Sequence, residues 1–265
     1  MEIFGYAAAL LIGISLGLIG GGGSILTVPV LVYLFGIDAV AATVYSLFIV
    51  GATSAVGSVS YFRKGFVSLR TALLFGLPSV AAVYVARNYL VPALPAEILR
   101  IGDFSVSKSA FLLVVFAVLM LLASWSMIRK KATPETDTRT PGAKSRWLLP
   151  GLGLLVGLIT GFVGAGGGFL IIPALVSLLG MPMKKAVGTS LLIIALNSLL
   201  GFAFSLGTLH VPWPFLLSLL GLAIAGTLLG SALSNQIDGR RLKPAFGWFV
   251  LAMGLFILLR ETVFA

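Results

Sequence analysis

The sequence predicts an all-α polytopic membrane protein made of two inverted-topology repeats, each a glycine-broken helical hairpin followed by three transmembrane helices. Three observations carry that reading. The chain is 59% hydrophobic and only 10% charged over its 265 residues, which is not the composition of a soluble domain. Apolar runs of about 18 residues or more, enough for a helix to cross a ~30 Å hydrocarbon core, recur along its length. A glycine-rich pattern near the N-terminus also returns, in register, 144 positions later.

The first apolar run, 3–19, has an acidic start and no convincing cleavage site, so it reads as part of the mature fold and not as a signal peptide. It ends in the break GGGGS (20–24). The run that follows, 24–36, is too short to cross unaided, because 13 helical residues extend ~20 Å. Runs 39–62, 67–90 and 109–128 complete the first half. RKKATPETDTRTPGAKSR (129–146) is polar, rich in Pro and Thr, and lacks apolar periodicity, so it is a linker. The second half repeats the order: 147–163, the break GAGGGF (164–169), the short run 168–180, then 186–206, 213–235 and 244–260. The expected organisation is a first transmembrane repeat (1–128), a cytoplasmic linker (129–146) and a second transmembrane repeat (147–265).

A gapless shift of 144 places Gly17, Gly20, Gly22, Gly23, Pro29 and Gly36 on Gly161, Gly164, Gly166, Gly167, Pro173 and Gly180. It also places Ala42, Ser46, Leu47 and Ser54 on Ala186, Ser190, Leu191 and Ser198. Basic residues set the orientation. With the 63–70 turn and the linker cytoplasmic, 14 of the 18 Lys and Arg fall inside, leaving Arg87, Arg100, Lys108 and Arg260 outside. Equivalent turns then lie on opposite faces: the basic 63–70 matches the uncharged 205–212, and the uncharged 36–38 matches the basic 181–185. Inverted repeats of this kind hold substrate near the membrane midplane, between discontinuous helices. Both termini are expected outside, in a multi-pass protein of the cell inner membrane.

Backbone groups freed at a glycine break cannot stay unpaired in hydrocarbon, so each break must be buried in protein or line a polar cavity. Glycine also lets a ligand approach the backbone closely. The helix that restarts beyond it offers free N–H groups and the positive end of its dipole, which suits an anion. The competing explanation, glycine as a close-packing device, accounts less well for two equivalent breaks, each followed by a short helix and a proline. The candidate substrate-binding residues are therefore Gly20, Gly21, Gly22, Gly23 and Ser24 in the first half and Gly164, Gly166, Gly167 and Gly168 in the second. Tyr45, Ser46, Thr189, Ser190 and Asn197 supply hydroxyl and amide groups at membrane depth. Asn197 is the strongest single candidate, since an amide amid LLIIALNSLLGF needs a partner.

Several chemistries are disfavoured. The chain has no Cys and one His, His210 in an outer turn, which removes thiolate chemistry and argues against a metal site or an activated hydrolytic nucleophile. No acid lies in the middle of an apolar run, so a carboxylate proton relay lacks support. The net charge of +10 gathers at helix ends, where it orients the protein and meets anionic lipid instead of nucleic acid. No cofactor is implied.

The paired segments GLIGGGGSILTVPVLVYLFGI…AATVYSL and GFVGAGGGFLIIPALVSLLGMPMKKAVGTSL resemble the TauE/SafE family of membrane transporters, named for sulfite export. The resemblance spans essentially the whole chain and includes Ala186, Thr189, Ser190 and Leu191. It implies export of small sulfur-containing anions such as sulfite, sulfoacetate or related organosulfonates across a bacterial inner membrane. Tyr45 stands where the second half has Thr189, so the halves are not equivalent there. The expected function is a secondary transporter working by alternating access; the alternative is a passive small-anion channel. Expected partners are the anion and membrane lipid, with a coupled proton as a further candidate.

Overall fold

The computed structural model describes residues 2–19, 21, 23–95, 97–101, 104–129, 143–206, 211–233 and 239–263. Gly20, Gly22, His210 and linker positions 130–142 lie outside the described residues. The first-half helices are α1 (Glu2–Ile19), α2 (Ser24–Tyr33), α3 (Ala39–Arg63) and α4 (Leu69–Val85). A π turn (Ala86–Leu90) carries α4 into the short α5 (Val91–Ala93), and β1 (Glu97–Ile101) and β2 (Phe104–Ser107) precede α6 (Lys108–Arg129). The second half comprises α7 (Ala143–Val163), α8 (Gly168–Leu179), α9 (Met183–Ser205), α10 (Trp213–Leu233) and α11 (Gly239–Val263).

Each apolar run is thus a helix. Among the described residues five helices are long and apolar enough to cross a membrane: α3, α4 with its extension to Ala93, α6, α9 and α10. The departure from an all-helical chain is the hairpin, in which β1 and β2 pair antiparallel with Ile101 opposite Phe104 and Arg100 opposite Ser105. Pro95 follows the extended Leu94, the conformation favoured before a proline, and so ends the preceding helix, and the alternating FSVS segment suits an extended edge.

Lipid tails are as apolar as leucine, so helices in a membrane associate through close backbone approach and polar contacts. α1 and α10 run parallel and meet this way. A Cβ on Gly13 would overlap the carbonyl of Ala223, one on Gly17 that of Thr227, and one on Gly226 or Gly230 that of Leu10 or Ile14. Thr227 Oγ1 donates to Gly13 O across the contact at 3.2 Å. The same interface recurs with the halves exchanged, where Gly157 and Gly161 of α7 close on Ser79 and Val83 of α4. Gly157 and Gly161 are Gly13 and Gly17 shifted by 144, and Ser79 and Val83 are Ala223 and Thr227 shifted back by 144.

Between these two pairs lie α3 and α9, which are counterparts of each other. Gly51 faces Leu199, Gly57 faces Leu191, and Gly188 faces Tyr61. Positions rise along one helix as they fall along the other, so the two are antiparallel. Asp38 caps α3 by accepting from the Val40 N–H at 2.8 Å, and Ser109 Oγ donates to its other oxygen at 2.6 Å, which ties the start of α3 to the start of α6.

Candidate functional site

The two glycine breaks meet. A Cβ on Gly168 would lie 2.6 Å from the Gly21 Cα, and one on Gly21 would lie 2.7 Å from the Gly168 carbonyl carbon. Only a residue without a side chain fits either position. Ser24 Oγ donates back to Gly21 O at 2.7 Å, and Gly23 is seated on α1 at Ile12 and Leu16. Neither α2 nor α8 has a side-chain cap at its start.

The breaks differ in backbone. Gly23 is right-handed, with φ −63°, whereas Gly164, Gly166 and Gly167 have φ of 75°, 68° and 72°. Left-handed geometry at consecutive positions requires glycine, and it re-aims the chain after α7 so that α8 can start beside Gly21. Gly164 rests on Thr43 of α3, Gly166 on Val50 and Ser198, and Gly167 on Thr160. The second break therefore runs along α3 from the level of Thr43 to that of Val50, seven residues or ~10 Å of helix.

Hydroxyls crowd this region. Thr160 and Ser198 are buried beside the break, and Thr160 Oγ1 and Ser198 Oγ have no hydrogen-bond partner. Ser46 and Ser54 Oγ on α3 are likewise buried and unpartnered. Serine and threonine in helices commonly satisfy themselves on the preceding turn, as Thr53 does on Ile49 O at 2.6 Å, so the unpaired ones stand out.

Asn197 is fully buried and donates through Nδ2 to Ser79 Oγ at 2.7 Å, joining α9 to α4. Its Oδ1 has no partner. Thr189 lies away from the break, where its Oγ1 accepts the Ser68 N–H at 3.0 Å and fastens the turn between α3 and α4. Ser190 donates to Val187 O at 2.8 Å, and Tyr45 is buried on α3. The structure thus gathers Gly21, Gly164, Gly166, Gly167 and Gly168 into one locus, with Gly23 and Ser24 adjoining and Thr189 at some distance.

One residue of this region is not among the candidates that the sequence pattern picks out. Arg87, counted with the outer charges, is only 6% exposed. It sits in the π turn, a form of helix that recurs at functional positions, and its Nη1 donates to Thr43 Oγ1 at 3.1 Å. Its Nε and Nη2 are buried without partners. The signal was present: Arg87 falls inside the apolar run 67–90, and the shift of 144 places Ser231 opposite it. Hydroxyls, an amide and a guanidinium around opened backbone form a set rich in donors, which suits a negatively charged ligand.

A bundle of apolar helices interrupted by paired, buried, polar-lined breaks defines a multi-pass membrane transporter, a class that binds and moves solutes without transforming them. The chain belongs to the family described as sulfite exporter TauE/SafE, whose profile matches residues 5–257. It is similar to a "Probable membrane transporter protein" of Xylella fastidiosa strain 9a5c, 29% identical over 255 residues that cover 95% of this chain and 92% of that one. It is also similar to YunE of Bacillus subtilis strain 168, a "Probable membrane transporter protein" 28% identical over 262 residues, covering 94% and 93% of the two chains. YdhB of the same strain carries the same description and is 26% identical over 249 residues, 94% of this chain and 96% of its own. No solved structure matches the chain.

Proposed function

We propose that the protein is a secondary transporter that exports small sulfur-containing anions, namely sulfite, sulfoacetate or related organosulfonates, across the bacterial inner membrane. The anion is held where the repeats meet, by the glycine-rich breaks and nearby hydroxyl and amide groups, and is passed by alternating access. The observation that carries this reading is the contact of Gly21 with Gly168, which sets both breaks at one place between α3 and α9. The substrate class comes from the family description, sulfite exporter.

The inverted arrangement is part of the proposal. Antiparallel counterparts α3 and α9, and the exchanged α1–α10 and α4–α7 pairs, support a two-fold relation whose axis lies across the helices. The accompanying assignment divides the chain at a cytoplasmic 129–146 linker and leaves both termini outside, in accord with the distribution of Lys and Arg.

Uptake of labelled sulfite by proteoliposomes containing the purified protein tests the function. Sulfonates, thiosulfate and sulfate serve as competitors, with and without a proton gradient. Saturable, competed flux is expected. Single-channel currents with flux linear in concentration would establish the passive channel instead, and no flux of any sulfur anion would overturn both readings.

A further inference from the structure

We propose that Arg87 is the anion-recognition residue of the site, and that it selects a singly charged oxyanion. This rests on the transport reading for its biological role but not for its chemistry. A guanidinium buried among apolar helices is costly unless a counter-charge or hydrogen-bond acceptors satisfy it. Arg87 has one acceptor, Thr43 Oγ1, on Nη1. The two groups left over, Nε and Nη2, are the pair of N–H donors along one edge of the guanidinium plane. That edge is the fork that grips two oxygens of one carboxylate, sulfonate or phosphate. The unmet need is therefore specific in shape and in sign.

Location supports the same conclusion. Thr43, which fixes Nη1, is also the residue on which Gly164 rests. The guanidinium is thus anchored to the wall of the second break at its Gly164 end. The first break has no equivalent, because the counterparts of Arg87 and Thr43 are Ser231 and Val187. The cation is present on one side only. One positive charge balances one negative charge, so a dianion would leave net charge buried and bind less well. Among the proposed substrates, bisulfite and monosulfonates are favoured over sulfoacetate, whose carboxylate is also ionised.

The test uses the purified full-length protein in lipid-free non-ionic detergent, with methanesulfonate and bisulfite as monoanion probes and sulfate as the dianion. Wild type is expected to gain thermal stability with the monoanions and less with sulfate. Arg87→Gln and Arg87→Lys are expected to weaken methanesulfonate binding by about tenfold to a hundredfold, the scale of a lost charge-assisted hydrogen bond. Arg87→Met keeps the bulk and removes the charge, so without anion it should melt at or above the wild-type temperature and ignore all three probes.

A lower melting temperature for Arg87→Met would show a structural cation and overturn the proposal. So would unchanged anion binding in Arg87→Gln, the absence of any anion response in wild type, or stabilisation by phosphatidylglycerol alone. The two readings fail separately. Sulfite flux with an unaltered KM in Arg87→Gln removes the role of Arg87 and leaves the transporter. Arg87-dependent methanesulfonate binding in a protein that moves no sulfur anion leaves the site and removes the transporter.

Discussion

Gly21 and Gly168, one from each half of the chain, lie backbone to backbone, so close that a Cβ on Gly168 would reach to 2.6 Å from the Gly21 Cα. Gly21→Ala and Gly168→Ala must push the breaks apart, and each should cost about 1–3 kcal/mol by overpacking. Thermal unfolding in detergent, followed by tryptophan fluorescence, measures this. Two variants that melt like wild type would remove the contact from consideration.

Gly166 combines a left-handed φ of 68° with Val50 Cγ1 at 2.7 Å from any added Cβ. Gly166→Ala should therefore lose at least about 1–3 kcal/mol from backbone strain alone. Gly221, within α10, has open space around it, and Gly221→Ala should be neutral or gain up to about 1 kcal/mol in helix propensity. A lower melting temperature for Gly166→Ala and an unchanged or higher one for Gly221→Ala are expected; equal losses would contradict the described break. A bulky residue at position 166 also disturbs folding, so its effect on flux has to be judged against folded protein only.

Asn197 and Ser79 join α9 to α4 by a side-chain hydrogen bond. Asn197→Ala leaves the Ser79 hydroxyl buried alone, a loss of about 1–3 kcal/mol. In a double-mutant cycle with Ser79→Ala the pair should couple by about 0.5–3 kcal/mol. Additive losses would mean that the two side chains do not meet.

The proposed orientation has a direct assay, since the chain has no cysteine of its own. Ile37→Cys should react with a membrane-impermeant maleimide applied from outside, and Met183→Cys only after the inner face is opened. Labelling of both from one side would rule out inverted repeats.

Much of the fold was legible because membrane helices announce themselves by length. The short runs after each break became α2 and α8 within a few residues of their expected ends, since glycine and proline punctuate a chain locally. The β1–β2 hairpin was missed because its strands are short and lie in the stretch between the apolar runs 67–90 and 109–128. Partners across space were not legible either. Nothing in the spacing of Gly13 and Gly17 says that they meet α10, nor that Thr189 would serve the Ser68 amide. Arg87 was overlooked for a related reason: a charge near the end of an apolar run is ordinarily assumed to reach water, and only the packing of Thr43 and the π turn shows that it does not.

The exchanged pairs, α1 on α10 and α7 on α4, have a consequence for how the chain matures. Each half presents a notched helix face whose matching surface belongs to the other half. A first half newly inserted in the bilayer has no mate for Gly13 and Gly17 until α10 has been made, more than two hundred residues into synthesis. Assembly therefore waits on the ribosome. Two fragments cut between α6 and α7 and made side by side should find each other, where either one alone should be cleared as an orphan.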